Sequence, residues 1–412
     1  MLGIVFLLVN LHRLSTAVLS GELTVDFSIT AAQLGTLHAS FFVIYAIVQI
    51  PTGVLVDRYG PRYIGAAGTF VLSAGAIGFM LSGGYLSAFF SRAIIGLGSG
   101  VIFVSVLRFC ANWYRTDEFA MMTGMTAGIG GLGAIFATTP LAISVEWFGW
   151  RSTLAALGLV GFVSGVLIFA FVRRSPAAAG LDPIDDVPEQ PSVTFSEIGG
   201  YLRELATDPD QWLLSLVFFS AMGTVLTIIG LWGVPYLVVV YDLSVTTASY
   251  YTLFGSVGML LGSPAIGWIS DRVGNRIVPL IVGLCLFAIT ISIIPVFGDP
   301  PLAAIAVAYF VVGASVGTAM LALSIIKEKY PAGASGVATA TVNGAGFFGG
   351  TILPAAMGLV LDQYRTGDVV AGTAVYTELG YRIAFGITAL AVITAVFGAI
   401  GLYIRENRIA KS

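Results

Sequence analysis

Charge is what this chain has least of: Asp, Glu, Lys and Arg together make up 10% of its 412 residues, against roughly 25% in an ordinary soluble protein. With 57% hydrophobic residues in place of that charge, a water-soluble globule is excluded. Histidine and cysteine are nearly absent, two of each. Cys110 and Cys285 are far apart with no C-x-x-C spacing, which excludes a disulfide framework or a metal site and leaves both as packing residues. A net charge of −3 gives no basic surface for nucleic acid. No Asp or Glu falls near the middle of an apolar run. That removes the nucleophile–base pairs and metal ligands a membrane enzyme would need at depth, so no enzyme activity, cofactor or metal is expected, and it counts against cationic cargo.

What the chain has instead is apolar runs near the twenty residues that cross about 30 Å of hydrocarbon. Twelve can be read, at about 2–21, 33–56, 63–82, 85–107, 118–141 and 151–172, then 212–238, 246–269, 277–297, 302–325, 336–361 and 381–404. The first is too long and lacks the basic start of a cleaved leader, so it is read as a span. The expected architecture is an all-α membrane protein of twelve transmembrane helices in two pseudo-symmetric six-helix bundles, 1–172 and 211–412. Residues 173–210 form a polar linker rich in Pro (Pro176, Pro183, Pro188, Pro191, Pro209) and acidic residues, with a short surface helix near Phe195–Leu205. Fourteen Lys and Arg fall on the side of the termini, Lys411 among them, and only Arg151, Arg365 and Arg382 on the other. The positive-inside bias then puts both termini in the cytoplasm of a multi-pass protein in the cell membrane.

The halves repeat one another. Gly53-Val-Leu-Val-Asp57-Arg58-Tyr-Gly60-Pro-Arg62 follows the second span, and Gly267-Trp-Ile-Ser-Asp271-Arg272-Val-Gly274-Asn-Arg276 follows the eighth, 214 residues later. A doubled G-x-x-x-D-R-x-G-x-R at these places in a twelve-span chain resembles the signature of the major facilitator superfamily. Arg92-Ala-Ile-Ile-Gly96-Leu-Gly98-Ser-Gly100 in span four is similar to that family's second motif. The resemblance implies two bundles rocking about a central site by alternating access.

In physical terms Gly53 and Gly267 would let neighbouring backbones approach, Asp57 and Asp271 would cap the following helix, and Gly60 and Gly274 would permit a tight turn. Arg58, Arg62, Arg272 and Arg276 would anchor the loops at the headgroups. The resemblance further implies that the carboxylate latches a cytoplasmic gate through a basic residue, for which Arg108 and Lys327 at the ends of spans four and ten are the candidates. The alternative is that these charges only enforce topology.

A charge at a span centre costs roughly 2.5–3.5 kcal/mol on insertion scales, so each needs a reason. Arg13 lies mid-span beside His12, with Asn10 three residues before and Thr16 three after; its planar fork suits an anion. Arg92, in span four, is either a second ligand contact or a structural residue. At its place in the second half stands Tyr309, a neutral donor. Ser220, Thr224 and Thr227 in span seven, Trp232 and Tyr236 beyond them, Gln49 in span two and Asn343 in span eleven are further candidates to line the site, or hydroxyls and amides that hold helices together. His12 and His38 are the candidates for proton coupling. Glu22 and Asp26 read as solvated at the outer mouth, and Trp268 as an interfacial anchor.

An arginine in span one is similar to the organophosphate:phosphate antiporters and related organic-anion carriers, in which a second basic residue in span seven completes a phosphate clamp. Ala221–Trp232 holds no basic residue. The expected function is therefore secondary transport of a small, singly charged organic anion, by proton symport or exchange, by a monomer in the lipid bilayer. A multidrug/proton antiporter would want a central acidic residue, and a transporter-like sensor would want an output domain.

Overall fold

The computed structural model describes residues 1–182, 184, 195–370 and 373–409; Pro183, Pro188, Pro191 and Lys411 lie outside the described residues. The chain is helical nearly throughout. The first half runs α1 (Leu2–Leu14), α2 (Thr16–Phe27), α3 (Ala31–Met80), α4 (Tyr85–Gly100), α5 (Ile102–Trp113), α6 (Thr116–Phe136), α7 (Thr139–Phe148) and α8 (Trp150–Phe171). The second runs α9 (Phe195–Leu205), α10 (Pro209–Thr227), a π-helical turn Ile228–Trp232, α11 (Gly233–Tyr241), α12 (Val245–Val273), α13 (Ile277–Ile291), α14 (Ile293–Phe297), α15 (Leu302–Lys329), α16 (Ala332–Gln363) and α17 (Glu378–Ile409). The surface helix expected in the linker is α9.

Among the described residues ten helices are long and apolar enough to cross a membrane, and twelve spans result if two bent pairs each count as one. α1 and α2 meet at 52°, α6 and α7 at 45°. Spans two and three are joined in α3, where Gly60 stands at φ +84° between them, and Gly274 takes φ +66° after α12. The tight turns expected of both motif glycines are present. A small departure from an all-helical chain is the antiparallel hairpin β1 (Arg365–Val370) and β2 (Thr373–Tyr376) between the last two spans.

The chain divides into two compact units. One comprises Met1–Arg13 and the chain from Ser40 into the linker; the other comprises Leu14–Ala39 and the chain from Ile198 onward. The ends of spans one and two thus belong with the second-half helices.

Several motif residues differ from expectation. No described atom lies within 4 Å of a Cβ placed on Gly53 or Gly267, so neither mediates a close approach here. Asp271 does not cap α13: it stands six positions before Ile277, out of reach, and Asn275 accepts from the Ile277 and Val278 amides at 2.8 and 2.9 Å instead. Asp57 pairs with Arg108 at 2.9 Å, while Arg174 donates to the Asp57 carbonyl. In the second half Asp271 and Glu328 share Arg276, at 3.2 and 2.7 Å. Lys327 is exposed and does not take the part of Arg108. Arg62 donates to the Phe169 carbonyl, and Arg58 and Arg272 lie over the rings of Tyr59 and Trp268.

Two arginines of the side opposite the termini have a common task. Arg151 donates to the Ser82 carbonyl behind α3, and Arg382 to the Pro295 and Val296 carbonyls of α14. Each supplies donors to carbonyls that a helix C-terminus leaves without partners.

At the start of α10, Asp208 and Asp210 hold Lys329 at 2.7 and 2.6 Å, Arg405 reaches Asp210 at 2.7 Å, and the Tyr330 hydroxyl donates to Asp208. Burial alone would raise the Asp208 carboxyl; Lys329, Tyr330 and the Asp210 amide outweigh it and hold it below the usual carboxylate range. A depressed carboxylate adds stability that is complete above its unfolded pKa and lost as pH falls through its folded one. The melting midpoint is therefore expected to fall as pH is lowered from about 6 to about 3, and Asp208→Asn to melt lower at the upper pH with a flatter dependence. An unchanged midpoint in the variant would assign the clamp no role in stability.

Candidate functional site

In the first unit the last turns of α1, the first span of α3 and the middle of α4 converge. Phe41, Tyr45 and Gln49 are four residues apart and so share one face of α3. Phe41 and Tyr45 stack with centroids 5.7 Å apart and planes at 15°. The Arg13 guanidinium lies 5.0 Å from the Tyr45 ring centre, and the Arg92 guanidinium 5.8 Å from that of Phe41 and 6.0 Å from that of Phe79. One aromatic stack therefore carries both intramembrane arginines. Cation–π contacts give each cation an attraction that needs no opposing charge, worth about 2 kcal/mol where water is excluded.

Arg13 also donates to the Asn10 carboxamide oxygen at 3.2 Å, and Asn10 donates to the Phe6 carbonyl at 2.9 Å. The amide thus fixes one edge of the guanidinium. Arg92 is 1% exposed and Arg13 9%, so both side chains are buried in protein. His12, fully buried, lies in the field of Arg92. The glycines after Arg92 explain why α4 sits this close. A Cβ on Gly96 would fall 2.4 Å from the Phe41 carbonyl oxygen, and one on Gly98 2.3 Å from the Leu72 amide nitrogen.

The remaining candidates, Gln49 apart, lie in the second unit. Thr16 is separated from Arg13 by the helix break at Ser15, so Asn10, Arg13 and Thr16 do not form one helical face. Thr16, Ser220 and Thr224 are fully buried, and their hydroxyls have no hydrogen-bond partner among the described residues. Thr227 and Tyr309 are different: Thr227 donates to the Gly223 carbonyl at 2.6 Å and Tyr309 to the Gly233 carbonyl at 2.9 Å. Their donors are committed to the backbone on either side of the π-helical turn. Trp232 donates to the Pro354 carbonyl and Tyr236 to that of Gly298, so both are structural ties. His38 packs against Gly230 within the same turn. Gln49 and Asn343 are half-buried.

The sequence reading missed Phe41, Tyr45 and Phe79. The four-residue spacing of the first two was visible, but aromatics at helical spacing occur in most spans. Glu22 and Asp26 are exposed, and the other described carboxylates lie in the end turns of spans, near the α3 turn, in α9, in the β-hairpin or in loops. Among the described residues no cluster of His, Cys, Asp and Glu could hold a metal ion.

A profile described as Major Facilitator Superfamily matches residues 1–354 and 255–412. The chain is 23% identical over 379 residues to a hexuronate transporter of Bacillus subtilis, with 86% of each chain covered. It is 26% identical over 346 residues to a probable nitrate/nitrite transporter, NarK2, of Mycobacterium tuberculosis, with 82% of each covered. The fold matches the crystal structure of a bacterial homologue of the human lysosomal transporter Spinster with a TM-score of 0.77 at 15% identity, covering 97% of this chain and 94% of that one.

Proposed function

Because the chain belongs to the Major Facilitator Superfamily, a family of membrane transporters and not enzymes, we propose that it carries a small, singly charged organic anion by alternating access, with Arg13 as the residue that holds the charge. The observation behind this reading is the pair of buried arginines on one aromatic stack, of which Arg13 is fixed by the Asn10 carboxamide and the Tyr45 ring. A fixed guanidinium offers an oxyanion two parallel donors. One such cation offsets one negative charge; a second would stay costly in a site of low dielectric constant. Arg92, enclosed between Phe41 and Phe79, is assigned to positioning the stack. The relatives named for hexuronate and for nitrate or nitrite are named for singly charged anions, the first organic and the second inorganic.

Gln49 and Asn343 are proposed to line the path, and the partnerless hydroxyls of Thr16, Ser220 and Thr224 supply donors for the neutral part of the cargo. Unpartnered buried hydroxyls cost roughly 1–3 kcal/mol each, which cargo or water entering the path would offset. Coupling is assigned to proton symport or to exchange, with His12 and His38 as the imidazoles proposed to serve it. The bundles 1–172 and 211–412, linked by 173–210, are assigned as the moving bodies, with both termini in the cytoplasm and a monomer as the working unit in the cell membrane.

A thermal-shift panel tests the reading, since a ligand that binds only the native state raises the melting midpoint. Glucuronate or nitrate is expected to stabilise the purified protein, and glucose 6-phosphate above its second ionisation to do so less. Stabilisation by cationic dyes alone would overturn the assignment.

A further inference from the structure

The N-terminus of α3 is completed by a residue of another span. The first turn of a helix leaves its amides without intrahelical partners. Here Thr30 and Gln33 form a reciprocal capping box: the Thr30 amide donates to the Gln33 side chain at 3.0 Å and the Gln33 amide to the Thr30 hydroxyl at 3.2 Å. That leaves the amides of Ala31 and Ala32. Both are taken by the carboxylate of Asp362, at 2.7 and 2.9 Å, from the last turn of α16 and 331 and 330 residues away. Tyr376 of β2, whose phenol is pushed up to about 12 by burial and by the Asp362 charge, stands beside it.

Below the carboxylate the two helices meet backbone to backbone. Pro354, Gly358 and Asp362, four residues apart, share one face of α16. A Cβ on Gly358 would lie 2.4 Å from the Ala31 carbonyl oxygen, and one on Gly35 2.7 Å from that of Pro354. The Pro354 carbonyl also accepts from Trp232 of the π-helical turn at 3.0 Å, and His38, nearly one turn beyond Gly35, packs on Gly230 of that turn. A continuous seam thus runs from Asp362 at the membrane face to the irregular turn of span seven. It binds Leu14–Ala39, a segment of the first half by sequence, to the second-half unit. The segment begins at a 52° break after Leu14, a place where a helix can bend. The seam's polar tie is a charge on two helix amides at a partly exposed end, and all three groups can take up water when it opens. A tie of that kind is releasable in a way that buried apolar packing is not.

We propose that Asp362 is a latch on the side opposite the termini. By capping α3 it holds Leu14–Ala39 against α16 and span seven, and its release frees that segment during the transport cycle. The proposal rests on the alternating-access reading above, but the following test requires neither cargo nor flux.

Amide hydrogen exchange of the full-length protein in a bilayer mimetic reads the latch directly. In the unmodified protein, residues 31–36 are expected to be protected, yet to exchange at least tenfold faster than the core of α13, because the segment opens locally. Asp362→Ala is expected to speed exchange over 31–36 by tenfold or more, and Asp362→Asn, which keeps one acceptor, by less, with α13 unchanged in both. If Asp362→Ala does not fold, the Asn variant and the unmodified protein carry the test. Unchanged exchange over 31–36 in the folded variants overturns the proposal. So does a rise shared equally by α13, or exchange of 31–36 in the unmodified protein no faster than that core, because either would make Asp362 a plain structural cap. Loss of anion binding by an Arg13 variant would leave this result standing, and the reverse also holds.

Discussion

Arg13→Gln is expected to fold and insert as the unmodified protein does and to lose saturable binding of the anion. Removing a cation from mid-span relieves an insertion cost of roughly 2.5–3.5 kcal/mol, and the shorter amide still reaches towards Asn10. Truncating one partner of a buried charge pair costs roughly 2–5 kcal/mol, which at about 1.4 kcal/mol per decade weakens binding from about 30-fold to a few thousand-fold. Arg13→Lys keeps the charge but loses the planar fork and the stacking on Tyr45, so it should recover only part of the affinity. Titration calorimetry against a monocarboxylate, with the melting midpoint as a control on folding, separates these outcomes. Binding by Arg13→Gln at the unmodified affinity would remove Arg13 from the cargo site.

The second large effect is expected at Gly96. A Cβ there would meet the carbonyl oxygen, carbonyl carbon and Cα of Phe41 at 2.4 to 3.0 Å. All three are backbone atoms, so no side chain can rotate out of the way. Gly96→Ala must then separate α4 from α3, and it shifts the ring that lies under Arg92. A loss of about 1–3 kcal/mol is the usual scale for such overpacking, and anion binding should weaken with it although residue 96 does not touch the cargo. Gly53→Ala is the control. No described atom lies within 4 Å of its Cβ position, and Ala in a helix gains about 0.5–1 kcal/mol over Gly, so its melting midpoint should hold or rise. Equal behaviour of the two variants would contradict the packing described for α4.

The contrast between these glycines shows where the sequence was informative. Span positions, the doubled motif and the turn glycines Gly60 and Gly274 follow from hydropathy and from the one residue type that accepts a positive φ at no cost. Arg13 and Arg92 stood out because charge in hydrocarbon is expensive. Other features depend on which helices meet. The Asp362 cap joins residues more than 300 positions apart, and nothing local to Asp362 distinguishes it from a solvated carboxylate at a span end. The Thr227 hydroxyl goes to the Gly223 carbonyl four residues before it, as helical hydroxyls do, but the Tyr309 hydroxyl goes to the Gly233 carbonyl just past the π-helical turn, and that turn leaves no periodic trace in the sequence. Asn275 as the cap of α13 was within reach of the sequence, since it stands two residues before Ile277 and Asp271 six before.

The central claim, that the single guanidinium of Arg13 sets a preference for single negative charge, is tested most directly by competition binding on the unmodified protein. A labelled monocarboxylate is displaced by a phosphate monoester at two pH values on either side of the ester's second ionisation. The account predicts that the ester competes well as a monoanion and at least tenfold less well as a dianion, since Arg13 offsets one charge and leaves the second in a site of low dielectric constant. Stronger competition by the dianion would place Arg92, or another cation, in the cargo site and contradict the assignment.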